Sequence, residues 1–364
     1  MKIVFFTMTL AKGGAERVLT TICNNWPEKT DEIIILTCLN NDPQYEIGNN
    51  IKVHGLIDSE DYYKRGKLKT FRKLCLEYKR VVSKLNPDVV ISFLPEPCII
   101  SKVMNGRIKT VLIGSERGNP YYQYSIVSKQ LMNWIYGHMD GVVFQTTGAC
   151  EFFNTNVQKK GKVIGNPINS KFIRIGERKT CRNEIVSVGR FTPEKNYPLL
   201  IEAFSKALIE CPTLILKIYG RVDKSLGIEK LVADLDLEKS VLLMGESDNI
   251  QEDIMNAGMF IMSSKSEGMP NALMEAMALG LPVISTDCPS GGPAELIAND
   301  FNGLLVKNES VDELASAIIK LHKDEVLADR LGENASKIVN EYSTETIGNK
   351  WCSYIQIVIK EKDR

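Results

Sequence analysis

Histidine is scarce in this sequence, which has only three among 364 residues, and none of its nine cysteines forms a C-x-x-C pair. Structural zinc sites are built from those two residue types at close spacing, so the sequence predicts no such site. Scattered cysteines in odd number are typical of reduced thiols in a cytosol. We therefore expect a cytoplasmic protein that needs no metal or other cofactor.

An excess of charge of either sign is also absent, because 45 Lys and Arg balance 45 Asp and Glu. A neutral chain gives no electrostatic reason to expect nucleic acid as a partner. Apolar runs of membrane-spanning length are missing too. The opening MKIVFFTMTLA is too short for a span and predicts a first strand rather than a signal peptide. The length predicts two domains of ordinary size, and a content of 44% apolar and 25% charged residues is typical of a soluble globular protein.

Several catalytic and nucleotide-binding motifs are missing as well. The sequence has no G-x-G-x-x-G, no G-x-x-x-x-G-K-[ST] and no G-x-S-x-G. Its one D-x-D, from Asp234 to Asp236, falls at a predicted helix end and is interpreted as solvated surface. This pattern disfavours dinucleotide, P-loop and serine-hydrolase chemistry, and it disfavours a diphosphate held through a metal ion.

What is present is a distinctive stretch from Ser263 to Glu295, which predicts a strand end, a tight loop, a helix, a strand and a second loop. Pro270 suits the first turn of the helix, and Gly280 suits its C-terminal cap. The residues expected to present free backbone N–H groups at the helix N-terminus, a position that favours anions, are Gly268, Met269, Pro270 and Asn271. Two acids, Glu267 and Glu275, flank this end and are better suited to sugar hydroxyls than to phosphate.

Strand and helix patterns alternate along the rest of the chain, which favours parallel sheets covered on both faces. The first strand runs into Gly13 and Gly14, either a backbone cradle for a ligand or an ordinary turn. In the first half, strands are predicted at 3–8, 32–38, 51–56, 88–93, 109–114 and 141–145, with helices at 68–85, 99–105 and 124–138. After a hinge at 165–167, strands are predicted at 184–188, 214–219, 240–244, 259–263 and 282–286. Helices there are predicted at 198–210, 226–235, 250–256, 311–323 and 325–341.

One segment, from Tyr62 to Lys84, is strongly basic. Two interpretations stay open: a surface helix with a solvated charged face, or a cationic surface for anionic lipid headgroups or a lipid diphosphate. A second cationic pair, Arg190 and Lys195, lies in the loop after the first strand of the second half. Either residue alone would more often be a solvated surface cation, but two cations in one loop suit a diphosphate leaving group.

These motifs together resemble glycosyltransferase family 4, the retaining nucleotide-sugar transferases of GT-B fold. The resemblance covers essentially the whole chain and rests on Gly13 to Glu16, Gly189 to Asn196, and Glu267 and Glu275 with their surroundings. It implies two Rossmann-like α/β domains whose parallel sheets face a central cleft. Residues 1–166 would form the acceptor-side domain and 167–343 the donor-binding domain, with a final helix at 344–364 packing back on the first.

The resemblance also implies roles for individual residues. Arg190 and Lys195 would hold the donor diphosphate, Glu267 would lie beside the transferred sugar, and Glu275 would accept hydrogen bonds from the ribose. The backbone from Met269 to Ala272 would contact sugar or phosphate. Residues implied for the phosphates and the base are Gly13, Gly14 and Gly245.

The sequence departs from the family where many relatives carry Ser-Glu-His. Here the loop reads Ser115-Glu116-Arg117, and we include Glu116 and Arg117 among the candidate catalytic residues. Arginine stays protonated and cannot be a general base, although it can donate hydrogen bonds to a hydroxyl or phosphate. We therefore expect transfer in which the leaving phosphate itself assists the attacking hydroxyl.

The function implied is transfer of one hexose or N-acetylhexosamine from a UDP-sugar to a polyprenyl-diphosphate-linked glycan, without a metal. The enzyme would be peripheral on the cytoplasmic face of the inner membrane, with 62–84 at the membrane surface. Two alternatives stay open: a non-catalytic nucleotide-sugar-binding partner in an assembly complex, and a nucleotide-sugar epimerase of the same fold. An epimerase would turn over donor without acceptor, and histidine scarcity disfavours it.

Overall fold

The computed structural model describes residues 1–64, 66–105, 109–174, 176 and 179–363. Arg65 of the predicted basic segment and Arg364 of the predicted final helix lie outside these residues, as does the side chain of Lys64. The chain divides into two compact units. Unit 1 is formed by Met1–Pro167 together with Thr344–Arg364, and unit 2 by Ile168–Ser343.

Unit 1 is built on a parallel sheet whose five inner strands are rich in Val, Ile, Leu and Phe and almost fully buried, whereas the edge strands Lys52–Asp58 and Gly161–Val163 are mostly exposed. Such continuous apolar runs are typical of strands covered on both faces. The strands are β1 (Lys2–Thr7), β2 (Glu32–Asn40), β3 (Lys52–Asp58), β4 (Val89–Phe93), β5 (Val111–Ser115), β6 (Gly141–Phe144) and β7 (Gly161–Val163). Their order is β3-β2-β1-β4-β5-β6-β7, which brings the carboxyl ends of all seven to one edge.

Helices connect these strands and cover the sheet. They are α1 (Gly14–Asn24), α2 (Ser59–Lys64), α3 (Lys67–Leu85), α4 (Pro95–Met104), α5 (Pro120–Gln123), α6 (Ile126–Gly137), α7 (Thr147–Glu151) and α8 (Thr155–Lys160). One core contains Tyr78 of α3, Cys98 of α4 and Tyr136 of α6, packed on Phe6 and Phe144 of the sheet. Helix α4 contacts both α3 and α6, so these three helices form one layer.

Unit 2 repeats this architecture with a six-stranded parallel sheet. Its strands are β8 (Cys181–Val188), β9 (Ile215–Tyr219), β10 (Val241–Gly245), β11 (Ala257–Met262), β12 (Val283–Asp287) and β13 (Leu304–Lys307). Its helices are α9 (Tyr197–Glu210), α10 (Ile228–Asp234), α11 (Ile250–Ile254), α12 (Asn271–Ala278), α13 (Gly292–Leu296), α14 (Val311–Lys323), α15 (Glu325–Ser336) and α16 (Val339–Tyr342). The order β10-β9-β8-β11-β12-β13 makes β8, β11 and β12 consecutive.

The last helix, α17 (Thr344–Lys362), belongs to unit 1. Its Trp351 is fully buried, and the Tyr354 hydroxyl accepts a hydrogen bond from the Val142 backbone N–H at 2.9 Å. The same hydroxyl donates to the Lys160 carbonyl at 2.6 Å. A Cβ atom at Gly141 would lie 2.5 Å from this hydroxyl, so glycine lets helix and sheet approach closely.

Some elements differ from the sequence prediction. The helix predicted at 124–138 corresponds to α6, which Ser125 caps with a side-chain hydrogen bond, but the short helix α5 before it, capped by Asn119, was not predicted. Helix α4 begins at Pro95, where proline fits the first turn, and not at the predicted residue 99. The helix predicted at 325–341 ends at Ser336. Short strands β7 and β13 were not predicted, since three or four residues give little periodicity.

No helix in the described ranges combines the length and the apolar character needed to cross a bilayer.

Candidate active site

Three neighbouring loops of unit 2 meet at the carboxyl ends of β8, β11 and β12, the edge where parallel α/β sheets bind ligands. Direct hydrogen bonds join them. The Ser263 hydroxyl donates to the Lys195 carbonyl at 2.9 Å, and the Lys265 N–H donates to the Glu194 carbonyl at 2.7 Å. The Thr286 hydroxyl donates to the Ser264 carbonyl at 2.6 Å. The loops therefore form one connected floor.

The backbone of Glu267 is held on both sides by the loop after β12. Its N–H donates to the Pro289 carbonyl at 2.9 Å, and its carbonyl accepts from the Ser290 N–H at 2.9 Å. A Cβ at Gly292 would lie 1.7 Å from the Gly268 carbonyl oxygen, so this close approach requires glycine. Fixing the backbone on both sides fixes where the Glu267 side chain can reach.

The centre of this floor is an ion pair between Lys195 and Glu267. Lys195 Nζ lies 2.6 Å from Glu267 Oε1, and the Ser264 hydroxyl donates to the same oxygen at 2.6 Å. The side chains keep 23% and 13% of their surface exposed, so solvent and ligands reach them. A cation thus lies beside a carboxylate that can accept hydrogen bonds from hydroxyl groups. A ligand with both phosphate and hydroxyl groups requires this combination.

Helix α12 begins beside this pair. Pro270 is its N-cap residue, and Asn271 and Ala272 in its first turn are partly exposed. The prediction that Pro270 presents an N–H is wrong, because proline has none. The first three N–H groups of the helix belong to Asn271, Ala272 and Leu273. Glu275 lies further along the helix and is 7% exposed.

Arg190 lies in the same unit, in the loop after β8, and its side chain is exposed. Its flanking residues are fixed to the end of β9: the Gly189 N–H donates to the Tyr219 carbonyl at 2.9 Å, and the Phe191 N–H to the Arg221 carbonyl at 3.1 Å. A Cβ at Gly220 would lie 1.9 Å from the Gly189 carbonyl oxygen.

Gly245, at the end of β10, has a φ of +74° and accepts a hydrogen bond from the Gly220 N–H at 2.7 Å. That contact connects the loop after β10 to the loop after β9. Unit 2 therefore holds Arg190, Lys195, Gly245, Glu267, Glu275 and residues 268–272 at or near one sheet edge.

The remaining predicted residues belong to unit 1. Gly13 precedes α1, which starts at Gly14, and the Tyr45 hydroxyl holds both of its backbone groups: it accepts from the Gly13 N–H at 2.9 Å and donates to the Gly13 carbonyl at 2.8 Å. The loop after β1 is thus fixed by a side chain from the segment between β2 and β3.

Glu116, directly after β5, is completely buried. One carboxylate oxygen accepts from the Tyr124 hydroxyl at 2.5 Å and the Tyr136 hydroxyl at 3.0 Å, and the other accepts from the N–H groups of Arg117 and Gly118 at 3.1 and 3.2 Å. Burial raises the pKa of this carboxyl, and the four hydrogen bonds oppose that effect. Glu116 is a structural centre that fixes α5 and α6 to the sheet.

Arg117 is also buried, and its guanidinium lies inside unit 1. Its Nε donates to the Ser115 hydroxyl at 2.7 Å and its Nη1 to Asn166 Oδ1 at 3.2 Å. The guanidinium carbon lies 4.9 Å from the ring centroid of Phe93 and 5.4 Å from that of Trp351. Burial lowers the pKa of Arg117 to about 9, so the side chain stays protonated at neutral pH.

The expected contact of Arg117 with a sugar or phosphate stays a prediction, and the structure gives this side chain internal partners. Sequence reasoning missed Asn166, Phe93 and Trp351 because they are remote in sequence. It also missed Ser264, although the paired serines before Glu267 were a visible signal. Across the described residues, no three His, Cys, Asp or Glu side chains are grouped as a metal site would require.

Comparison with known proteins gives three relevant likenesses. Residues 169–338, nearly all of unit 2, match the family model described as Glycosyl transferases group 1. A Campylobacter jejuni N-acetylgalactosamine-N,N'-diacetylbacillosaminyl-diphospho-undecaprenol 4-alpha-N-acetylgalactosaminyltransferase is 29% identical over 345 residues, which cover 90% of this chain and 91% of that protein. An exopolysaccharide phosphotransferase of Streptomyces coelicolor is 33% identical over 180 residues, but these cover only 19% of its length.

Among solved structures, that of Anabaena HepE in complex with UDP has a TM-score of 0.82, with 16% sequence identity, 98% of this chain covered and 100% of that chain. At this identity the likeness shows the fold, which is GT-B: two α/β domains with parallel sheets. The group 1 match in unit 2 and the GT-B fold along the chain together support a GT4-like glycosyltransferase.

Proposed function

We propose that the protein moves one hexose or N-acetylhexosamine from a UDP-sugar to a polyprenyl-diphosphate-linked glycan, with retention of anomeric configuration. The observation that carries the proposal is the partly exposed Lys195–Glu267 pair between three linked loops of unit 2. The diphospho-undecaprenol acceptor in the name of the Campylobacter relative supports the acceptor class, and the UDP in the Anabaena complex supports the donor.

Lys195 provides the main electrostatic stabilisation of the leaving diphosphate. Its ammonium group is neutralised by Glu267, with an Nζ–Oε1 distance of 2.6 Å. A donor diphosphate supplies a competing anion, and its charge grows as the bond to the sugar breaks. Lys195 and the exposed Arg190 neutralise that charge, and a single well-placed donor is worth roughly 3 kcal/mol in the transition state.

Glu267 and Glu275 act on hydroxyl groups. When Lys195 turns to the diphosphate, the Glu267 carboxylate remains as an acceptor for a sugar hydroxyl, and Ser264 keeps it oriented. Glu275, one helical turn inside α12, accepts from the ribose. The N–H groups at the start of α12 donate to phosphate or sugar oxygens, and the helix dipole favours that negative charge.

The proposed retention agrees with Arg117, which supplies no base for the acceptor hydroxyl. A guanidinium with a pKa of about 9 cannot take a proton from the acceptor hydroxyl at neutral pH. The departing phosphate oxygen accepts that proton on the face from which it leaves, so the new bond forms on the same face. The two cations supply the charge stabilisation that a metal gives in other transferases, and transfer therefore proceeds without one.

The test is a donor panel with purified protein. UDP-glucose, UDP-galactose and their N-acetyl counterparts are each incubated with a polyprenyl-diphosphate-linked acceptor, and UDP release is measured with and without EDTA. We expect one preferred donor, acceptor-dependent release, unchanged rates in EDTA and an α-linked product by NMR. A β-linked product would overturn retention, and inhibition by EDTA that added Mg²⁺ reverses would overturn metal independence.

The same panel separates the alternatives. Conversion of the donor sugar without any acceptor would identify an epimerase. Donor binding by calorimetry, with no turnover on any acceptor, would identify a non-catalytic binding partner. Lys195→Ala serves as the inactive control, because it removes the cation on which the proposal depends and leaves the fold of the loops in place.

A further inference from the structure

A row of apolar side chains on α6 faces solvent, far in sequence from the site in unit 2. Ile126, Val127, Leu131 and Trp134 are 80%, 77%, 47% and 51% exposed, and we call these four residues the α6 ridge. Single exposed apolar residues are ordinary on a protein surface, but a contiguous group marks an interaction surface. Tyr121 and Tyr122 of α5, just before the ridge, are also more than half exposed.

The helical period shows that this exposure is systematic. Met132, Ile135 and Tyr136 form the inward face of α6 and are buried in the core of unit 1. Val127, Leu131 and Trp134 recur at spacings of four and three on the opposite face. A surface helix usually places polar side chains there, so α6 is apolar on both faces, and its outward face is available to a partner.

Charged side chains are sparse around the ridge. Between residues 118 and 139, which are all described, Lys129 is the only Lys, Arg, Asp or Glu. The Lys129 Nζ lies 4.0 Å from the Phe152 ring centroid. Exposed acids on the adjoining helices are Glu96 at the start of α4 and Glu151 in α7.

Helix α3 belongs to the same layer, joined to α6 through α4. Its one acid, Glu77, pairs with Arg80 at 2.8 Å. Its exposed cations are Lys67, Lys69, Arg72, Lys79, Arg80 and Lys84. The apolar stripe predicted on this helix is only partly buried: Leu74 and Val82 are in the core, whereas Leu68 and Leu76 are exposed.

We propose that the α6 ridge inserts into the interfacial region of an anionic lipid bilayer, with the α3 cations on the headgroups. Tryptophan and tyrosine suit that region because they combine an apolar ring with a polar edge. Peripheral helices combine such residues with lysine and arginine in the same way. A surface that is apolar and cationic at once complements an anionic bilayer, whereas protein interfaces deplete lysine at their core.

Tryptophan fluorescence tests the insertion directly. Trp134 is 51% exposed, whereas Trp26 and Trp351, the other two tryptophans, are 4% and 0% exposed. Vesicles of phosphatidylcholine with phosphatidylglycerol are added, and we expect a blue shift and quenching by brominated lipid chains. Trp134→Phe should lose both signals. An unchanged spectrum, or quenching that survives in Trp134→Phe, would overturn the proposal.

Flotation with the same vesicles measures the binding itself. The double variant Val127→Gln, Leu131→Gln should reduce the bound fraction at least about tenfold, since it removes buried apolar surface. Ile209→Gln is the matched control, because Ile209 is 83% exposed on α9 of unit 2. Equal loss in both variants would overturn the proposal, and so would equal binding to pure phosphatidylcholine vesicles, which lack the anionic headgroups.

Two further measurements distinguish bilayer binding from pairing with a second copy, and test vesicle binding independently of the proposed sugar transfer. If the ridge pairs with a second copy, light scattering will show a dimer that the double variant abolishes, and that result contradicts bilayer insertion. Donor hydrolysis in vesicle-free solution should be equal in the double variant and the parent, because the ridge lies in unit 1. The protein can therefore bind vesicles even if the proposed sugar transfer is wrong, and it can transfer sugar even if the ridge does not bind a bilayer.

Discussion

Both units place an acid and a cation at the carboxyl ends of parallel strands, yet they use them in opposite ways. In unit 2, Lys195 and Glu267 pair with each other and stay partly exposed. In unit 1, the side chains of Glu116 and Arg117 bind different partners and are buried. The comparison shows that position at the ligand-binding edge does not assign a function, because packing decides whether a charged group is accessible.

The physical difference lies in how each charge is satisfied. Glu116 has four internal donors, so its carboxylate is part of the framework. Glu267 shares one oxygen between a lysine and a serine at a surface that a ligand can enter. Mutations should therefore lower activity in unit 2 and stability in unit 1.

The largest effect is expected for Lys195→Ala. Loss of this cation should lower turnover at saturating donor by about 10²–10³-fold, because charge on the leaving diphosphate is no longer neutralised. The measurement is UDP release with acceptor present. Lys265→Ala is the control, since Lys265 lies in an adjoining loop but is 47% exposed and paired with Glu309. Equal rates in the two variants would remove Lys195 from the catalytic residues.

Glu116→Ala should instead lower the free energy of unfolding by about 3 kcal/mol, because two tyrosine hydroxyls and two N–H groups lose their buried acceptor. Denaturation in urea measures this change. Glu151→Ala, at an exposed acid of the same unit, should leave stability within about 0.5 kcal/mol of the parent. A stable Glu116→Ala protein that no longer transfers sugar would show that this loop is catalytic after all.

Glu275→Ala tests whether a buried acid of unit 2 can still serve a ligand. We expect donor affinity to fall by about 2 kcal/mol, roughly 30-fold, through unpaired ribose hydroxyls. Calorimetric titration with UDP measures it, and a 2′-deoxy nucleotide should bind parent and variant alike. If the variant unfolds more readily but binds UDP normally, Glu275 belongs with Glu116 as a framework residue.

The smallest effect is a pH dependence of stability. Burial raises the folded-state pKa of Glu116 above its ordinary 4.5, so between the two values the folded protein binds more protons than the unfolded chain. This contribution is present below pH 4.5 and is lost as the pH rises through the folded pKa. The stability of the parent relative to Glu116→Gln should therefore fall as pH increases from 4 to 7, and a rise would contradict it.

Much of the fold could be predicted from sequence because parallel strands buried on both faces are continuous apolar runs. The strands after which Gly13, Lys195 and Glu267 lie were predicted to within a few residues. The loop chemistry of unit 2 was also visible, since its glycines, acids and cations are close in sequence to the strands. These local signals are the ones that a single sequence carries well.

The environment of Arg117 could not be predicted in this way. Its partners Phe93, Asn166 and Trp351 come from three separate parts of the chain, and no periodicity links them. The α6 ridge was missed for a different reason: a helix that is apolar on both faces has the sequence of a buried helix. Only the structure shows which face the core leaves uncovered.

Helix α17 gives the folding of unit 1 a particular order in time. A ribosome makes residues 1–167 first, but Trp351 and the Tyr354 hydroxyl that binds Val142 and Lys160 follow only after all of unit 2. Domains tend to fold as they emerge. The later unit can therefore complete its core first, while the unit that began earlier waits for its last helix.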